Sequence, residues 1–254
     1  MAPLSAIPRI AARDLIGAWR ERHPEWWMLT ASLGAWGLLA AAPWGGVLPL
    51  CTGGHFGFAN SRPGSYGTQL LAAGAMTIAM MPPLVILSVR HAAFRSYRDR
   101  RNQAIAGFLA GYLGLWIALA AVFLGVLALL PVAGGGDTVS VMLIAYAAAL
   151  VWQLTPWKRI ALWRCHRTMS LAAEGWEVVA DCFRFGTAIG ASCVASCWLL
   201  MVLPMLGAHS LASMACLQAA MLHERYQRQA LPRMGGSILL LCASLAFALR
   251  QVVT

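Results

Sequence analysis

The stretch TAIGASCVASCWLLMVLPM (187–205) is apolar enough to span a bilayer and carries Cys193, Cys197, Met201 and Met205 at intervals of four. On a helix that spacing sets four sulfur side chains in a near-vertical row on one face. The chain around it is almost uncharged. Hydrophobic residues make up 60% of its 254 residues and charged residues 11%, against about half and about a quarter in soluble proteins. The apolar residues fall in long blocks separated by short basic stretches. The composition therefore predicts an all-α, polytopic membrane protein. Residues 1–24 lack the apolar core of a secretory signal peptide. The seven cysteines do not read as a disulfide framework, because most fall inside apolar blocks or in basic segments.

Working outward, residues 1–27 form a basic segment with an apolar stripe at Ile10, Leu15 and Trp19, suited to a short helix on the membrane surface. Residues 28–254 read as a single transmembrane domain, entered through the interfacial pair Trp26 and Trp27. Seven spans are expected, at about 28–48 (bent near Pro43), 68–89, 105–130, 138–154, 183–203, 206–222 and 234–253. Residues 51–67 and PVAGGGD (131–137) read as a loop and a turn. Residues 156–182 mix charge with Trp and Leu at helical spacing, which predicts an interfacial cytoplasmic helix.

A net charge of +10 suggests nucleic acid in a soluble protein. Here the positions of the charges explain it better. The N-terminus and the segments after spans two, four and six hold seventeen Lys and Arg residues, and the other side holds only Arg62 and Arg250. That asymmetry predicts a cytoplasmic N-terminus, an external C-terminus and lipid rather than nucleic acid as the surrounding partner.

Much chemistry is absent. No carboxylate falls in the middle of an expected span, which argues against a proton-coupled carrier. The single lysine, Lys158, is placed in a loop. No phosphate-binding glycine loop, Ser-His-Asp order or HExxH pattern occurs, so no enzymatic site is assembled.

What remains is sulfur. At about 1.5 Å per residue, Cys193 lies roughly 15 Å into its span, close to the midplane, with Cys197 one turn further on. Met76, Met80 and Met81 lie on span two, where Pro82 and Pro83 should break the helix and free carbonyls for other partners. Span six adds Met214, Cys216 and Met221, with His209 near its end. Thiolates and thioethers select soft ions, above all Cu(I), whereas zinc draws a closed set of four Cys/His ligands that is not assembled here. The candidate metal ligands are Cys193, Cys197, Met201, Met80 and Met76, with Cys165 beside His166 able to capture metal on the basic side. Each of these sulfurs also has a packing explanation, as gap-filler or small hydrophobe. Cys51 and Cys242 read as bystanders.

WQLTPWKRIALWRCHR (152–167), GASCVASCWLLM (190–201) and HER (223–225) together resemble a bacterial family of "predicted metal-binding integral membrane proteins", domain of unknown function 2182. That family's pattern is YQ-x-x-P-x-K-x-x-C-L-x-x-C-R, then Y-C-x-G-C-C-W-x-L-M, then E-K. Gln153, Pro156, Lys158, Leu162, Cys165, Cys193, Cys197, Trp198, Leu200, Met201 and Glu224 match it, and TIAMMPP (77–83) is similar to its M-M-x-P element. The chain departs at Ala161, His166, Ala195, Ser196 and Arg225, and two of these positions are cysteines in the family. The resemblance covers most of residues 68–250 and implies a multi-pass protein of the bacterial inner membrane. Three functions follow in order: holding or passing Cu(I), with a metal chaperone as a possible partner; serving as a metal-free subunit or assembly factor of a larger membrane complex; and, last, a membrane metalloenzyme.

Overall fold

A computed structural model describes residues 17–45, 66–129, 138–206, 211–227 and 235–253, mostly in helices, with no strand among them. Residues 17–22 form a short helical stretch. The named helices are α1 (Trp26–Gly45), α2 (Tyr66–Met80), α3 (Ile86–Arg95), α4 (Arg101–Leu129), α5 (Thr138–Leu154), α6 (Pro156–Arg164), α7 (Glu177–Leu206), α8 (Leu211–Tyr226) and α9 (Gly235–Val253). The expected turn at PVAGGGD, most of the loop 51–67, Cys51, His209 and the N-terminal stripe residues Ile10 and Leu15 lie outside the described residues.

The centre of the fold is α4 against α7. Two glycine pairs, Gly107/Gly111 and Gly186/Gly190, allow the backbones to meet. A Cβ on Gly111 would collide with the carbonyl oxygen of Phe183, and one on Gly186 with that of Phe108. Contacts advance together along both helices, from Gly107 at Val179 to Gly190 at Tyr112, so the pair runs parallel.

Proline chemistry sets the two bends. Pro83 cannot donate to the carbonyl of Ala79, and the hydroxyl of Ser32 on α1 donates to it instead, at 2.6 Å. The chain passes through a 3-10 turn, Pro82–Val85, into α3 at 42° to α2. Two neighbours from α8 tie the same break: Arg225 Nε donates to Leu84 O at 3.1 Å and Tyr226 to Pro83 O at 2.8 Å. The second bend is LTP. Thr155, extended because it precedes Pro156, caps α6 by accepting from the Lys158 amide. The helix then turns 70° away from α5.

Where α5, α8 and α9 meet, Tyr146, Ser213 and Ser244 bury a ring of hydroxyls. The distances are 2.8 Å for Tyr146–Ser244, 3.3 Å for Tyr146–Ser213 and 2.7 Å for Ser213–Ser244.

By length and composition, α4 and α7 are long and apolar enough to cross a membrane, and the two bent pairs raise the number of candidate crossings to four. Among the described residues that is two to four candidate crossings, not clearly seven. The apolar parts of α1 and α9 are shorter, and α8 ends in His223, Glu224 and Arg225.

Three further expectations are corrected. The interfacial helix over 156–182 is α6, a non-helical stretch from 166 to 176, and the first turns of α7. Gly175, at φ 77°, supplies the left-handed residue that turns the chain into α7. The helix expected over 183–203 runs from Glu177 to Leu206. Lys158 is not in a loop, since α6 buries it completely.

Candidate metal centre

The α4–α7 contact fixes the first part of the site. One residue beyond Gly111, the buried Tyr112 hydroxyl donates to Cys193 Sγ at 3.1 Å and reaches Met81 Sδ at 3.6 Å. Met81 stands at the proline break, so the broken helix carries a thioether to the face that α7 lines with thiols. Cys165 and Cys197 are the two thiols that act electrostatically on Cys193. All three thiols are free and buried. The spacing of four on α7 explains Cys193 and Cys197. Cys165 arrives differently, at the end of α6, where its amide closes the helix on Ala161 O at 3.0 Å.

Ser196, which stands at a cysteine position of the resembled family, remains inside this group. Its hydroxyl lies 3.2 Å from Cys197 Sγ and 2.9 Å from the Cys193 carbonyl, to which it donates. Ala161 is buried one turn before Cys165.

A buried charge cluster adjoins the thiols. Lys158 Nζ pairs with Glu224 at 2.8 Å and also donates to Gln153 Oε1, and both partners of the ion pair are shielded from solvent. Lys158 and Glu224 also act electrostatically on Cys197, in opposite senses. The Nε2 amide of the fully buried Gln153 has no hydrogen-bond partner. Arg225, whose Nη2 reaches Ser88 Oγ at 3.4 Å, acts electrostatically on Cys165 and His166. Partial burial first, and Arg225 second, hold His166 below its usual range and favour the neutral imidazole.

The sequence-derived ligands thus divide. Cys193, Cys197 and Cys165 come together. Met76, Met80 and Met201 are buried in the same core, but the methionine that shares a partner with Cys193 is Met81. Cys242 is exposed on α9. Among the described residues, no three His, Cys, Asp or Glu side chains stand in a metal-holding arrangement. Sequence reasoning missed Tyr112 and placed Lys158 in a loop. The signal for Tyr112 was its place directly after GFLAG (107–111), a small-residue spacing that marks a close helix contact.

The family model for PpoB2, described as a copper chaperone, matches residues 70–246. That match spans every residue of the thiol and charge clusters. No curated protein and no solved structure matches the chain. The chain belongs to the PpoB2 copper-chaperone family.

Proposed function

We propose that this family member carries Cu(I) as cargo in the membrane, on the thiolates of Cys193 and Cys197 with Cys165 as the third sulfur. The observation that carries the reading is the buried Cys193 thiol, held at 3.1 Å by the Tyr112 hydroxyl that also reaches Met81, with Cys197 one turn along α7 and Cys165 the other buried thiol that acts on it. Soft sulfur donors match Cu(I). Each thiol must lose its proton on ligation, so two thiolates around one Cu(I) leave a surplus negative charge. Lys158 favours a thiolate at Cys197 and shares its charge with Glu224, which opposes it there. Tyr112 orients Cys193 and donates to its sulfur. Met81 supplies a thioether, with Met80, Met76 and Met201 packing the surrounding wall. Cys165 and the neutral His166 form the entry on the basic side.

Membrane insertion is part of the same proposal. Large apolar side chains such as Leu33, Leu38, Val122, Ile144 and Leu239 are exposed along the helices, as a lipid-facing surface requires. Trp157, Trp163 and Trp176 are exposed near the basic end, as expected of an interfacial belt in a bacterial inner membrane. The seven-span path, N-terminus inside and C-terminus outside, follows the charge asymmetry. A reporter fused after Thr254 should report the external side, and a cytoplasmic signal overturns that path.

The metal test is anaerobic Cu(I) titration of detergent-purified protein against a chromophoric chelator. Near-equimolar retention is expected, falling at least tenfold in Cys193→Ser and Cys197→Ser, because a hard hydroxyl replaces a soft thiolate at similar volume. Ser196→Cys should raise affinity. Equal retention in all of these variants would sink the reading and leave the sulfurs as packing.

A further inference from the structure

Away from the thiols, an open cavity of about 740 Å³ lies where residues 17–22 meet α3 and the start of α4. Its walls bring together Arg22, Arg90, Arg98, Arg101 and His23. The carboxylates nearby are fewer than the cations. Glu21 pairs with Arg98, while Glu25 pairs with His23 at 3.3 Å and Arg90 at 3.8 Å. Arg22 and Arg101 have no carboxylate partner among the described residues. Arg101 is nonetheless held in place. Its guanidinium lies 5.1 Å from the Phe94 ring, its Nη1 donates to the Glu21 carbonyl at 3.4 Å, and its buried Nε has no partner. Arg90 also lies over Phe94, at 6.0 Å.

We infer that this cavity is a binding site for a phosphate group, the headgroup of an anionic lipid being its natural source. Like charges gathered into one concavity repel one another unless an anion joins them. Two guanidinium forks without carboxylates suit the several oxygens of a phosphate better than a single carboxylate. The level in the molecule fits a lipid. The apolar helix α1 begins at Trp26, with Arg20 stacked 4.8 Å over its ring, and the long apolar helix α4 begins at Arg101 itself. The pocket therefore sits where two apolar helices emerge, at headgroup depth. Nothing in this site depends on the metal.

The test uses the full chain in detergent. Native mass spectrometry compares retention of phosphatidylglycerol with that of phosphatidylcholine, for the wild type, Arg22→Gln, Arg22→Gln/Arg101→Gln and the charge-matched control Arg159→Gln/Arg164→Gln. The wild type should prefer the anionic lipid. That preference should fall about fivefold per pocket arginine removed and stay within twofold of wild type in the control. Retention in the pocket variants equal to wild type, or an equal loss in the control, overturns the site. Arg22 is exposed, so its single variant keeps the test decisive if the double variant fails to fold. Millimolar inorganic phosphate that displaces the lipid and raises the unfolding temperature of the wild type alone identifies free phosphate as an equally good occupant. Retention of lipid against phosphate assigns the site to the headgroup.

Discussion

Two buried polar clusters lie among these helices, and they differ in whether their hydrogen bonds close. At Tyr146, Ser213 and Ser244 each hydroxyl meets the other two, and the ring is neutral. Around Cys193 the bonds do not close. Thiols are weak donors and acceptors, Gln153 keeps an amide donor unused, and a lysine–glutamate pair is fully buried. Burial of unpaired polar groups and charges costs free energy that a closed ring avoids. The first cluster is what helix packing needs. The second is more than packing needs, which is why it reads as a site.

The comparison breaks most visibly at the ion pair. Lys158→Met leaves Glu224 as an uncompensated buried charge and should cost about 3–5 kcal/mol. The thermal unfolding midpoint in detergent should drop sharply, and Lys158→Met/Glu224→Met should recover most of the loss. A silent single variant would mean that water reaches the pair and that the cluster is not the strained region described above.

Tyr112→Phe sharpens the contrast by separating stability from metal. It removes one donor to sulfur at nearly constant shape, so stability should shift by no more than about 1 kcal/mol. Cu(I) affinity should fall roughly threefold to tenfold, because the thiolate loses a charge-assisted hydrogen bond. Chelator competition reads this directly, and an unchanged affinity would reduce Tyr112 to a spacer.

In the closed ring, Ser244→Ala should cost about 0.6 kcal/mol, the typical worth of an interhelical hydrogen bond in membranes. Copper retention should not change, and if it falls as in the cysteine variants, the two clusters are one. Smallest of all is Cys242→Ser, on an exposed position of α9. Neither unfolding nor copper content should move, and a loss of copper there would bring a second sulfur site into play.

The helices were legible in the sequence because apolar runs and prolines act locally. The 138–154 helix and the break at Pro82–Pro83 both follow from residues within one turn. The thiol row was legible too, since a spacing of four is a property of one helix. The approach of Cys165 was not, because it depends on a 70° turn at Thr155–Pro156 that carries α6 back against α7. Lys158 misled for the same reason. A lysine between tryptophans in a basic run reads as solvated, and its partner Glu224 lies 66 positions away. Met81, the first residue past the end of α2, is the methionine that reaches the Tyr112 hydroxyl, a contact made across helices that no spacing on one helix announces. The number of spans was the least legible feature, since composition does not distinguish a crossing from a helix that bends.

The glycine contact between α4 and α7 has a consequence in genetic terms. A side chain placed on Gly186 would strike the backbone of Phe108 on the opposite helix, not a side chain. Trimming a neighbour therefore cannot make room, because every amino acid carries the same carbonyl. A selection for intragenic suppressors of Gly186→Leu should accordingly return reversion to glycine or other small residues at position 186, and few second-site changes on α4.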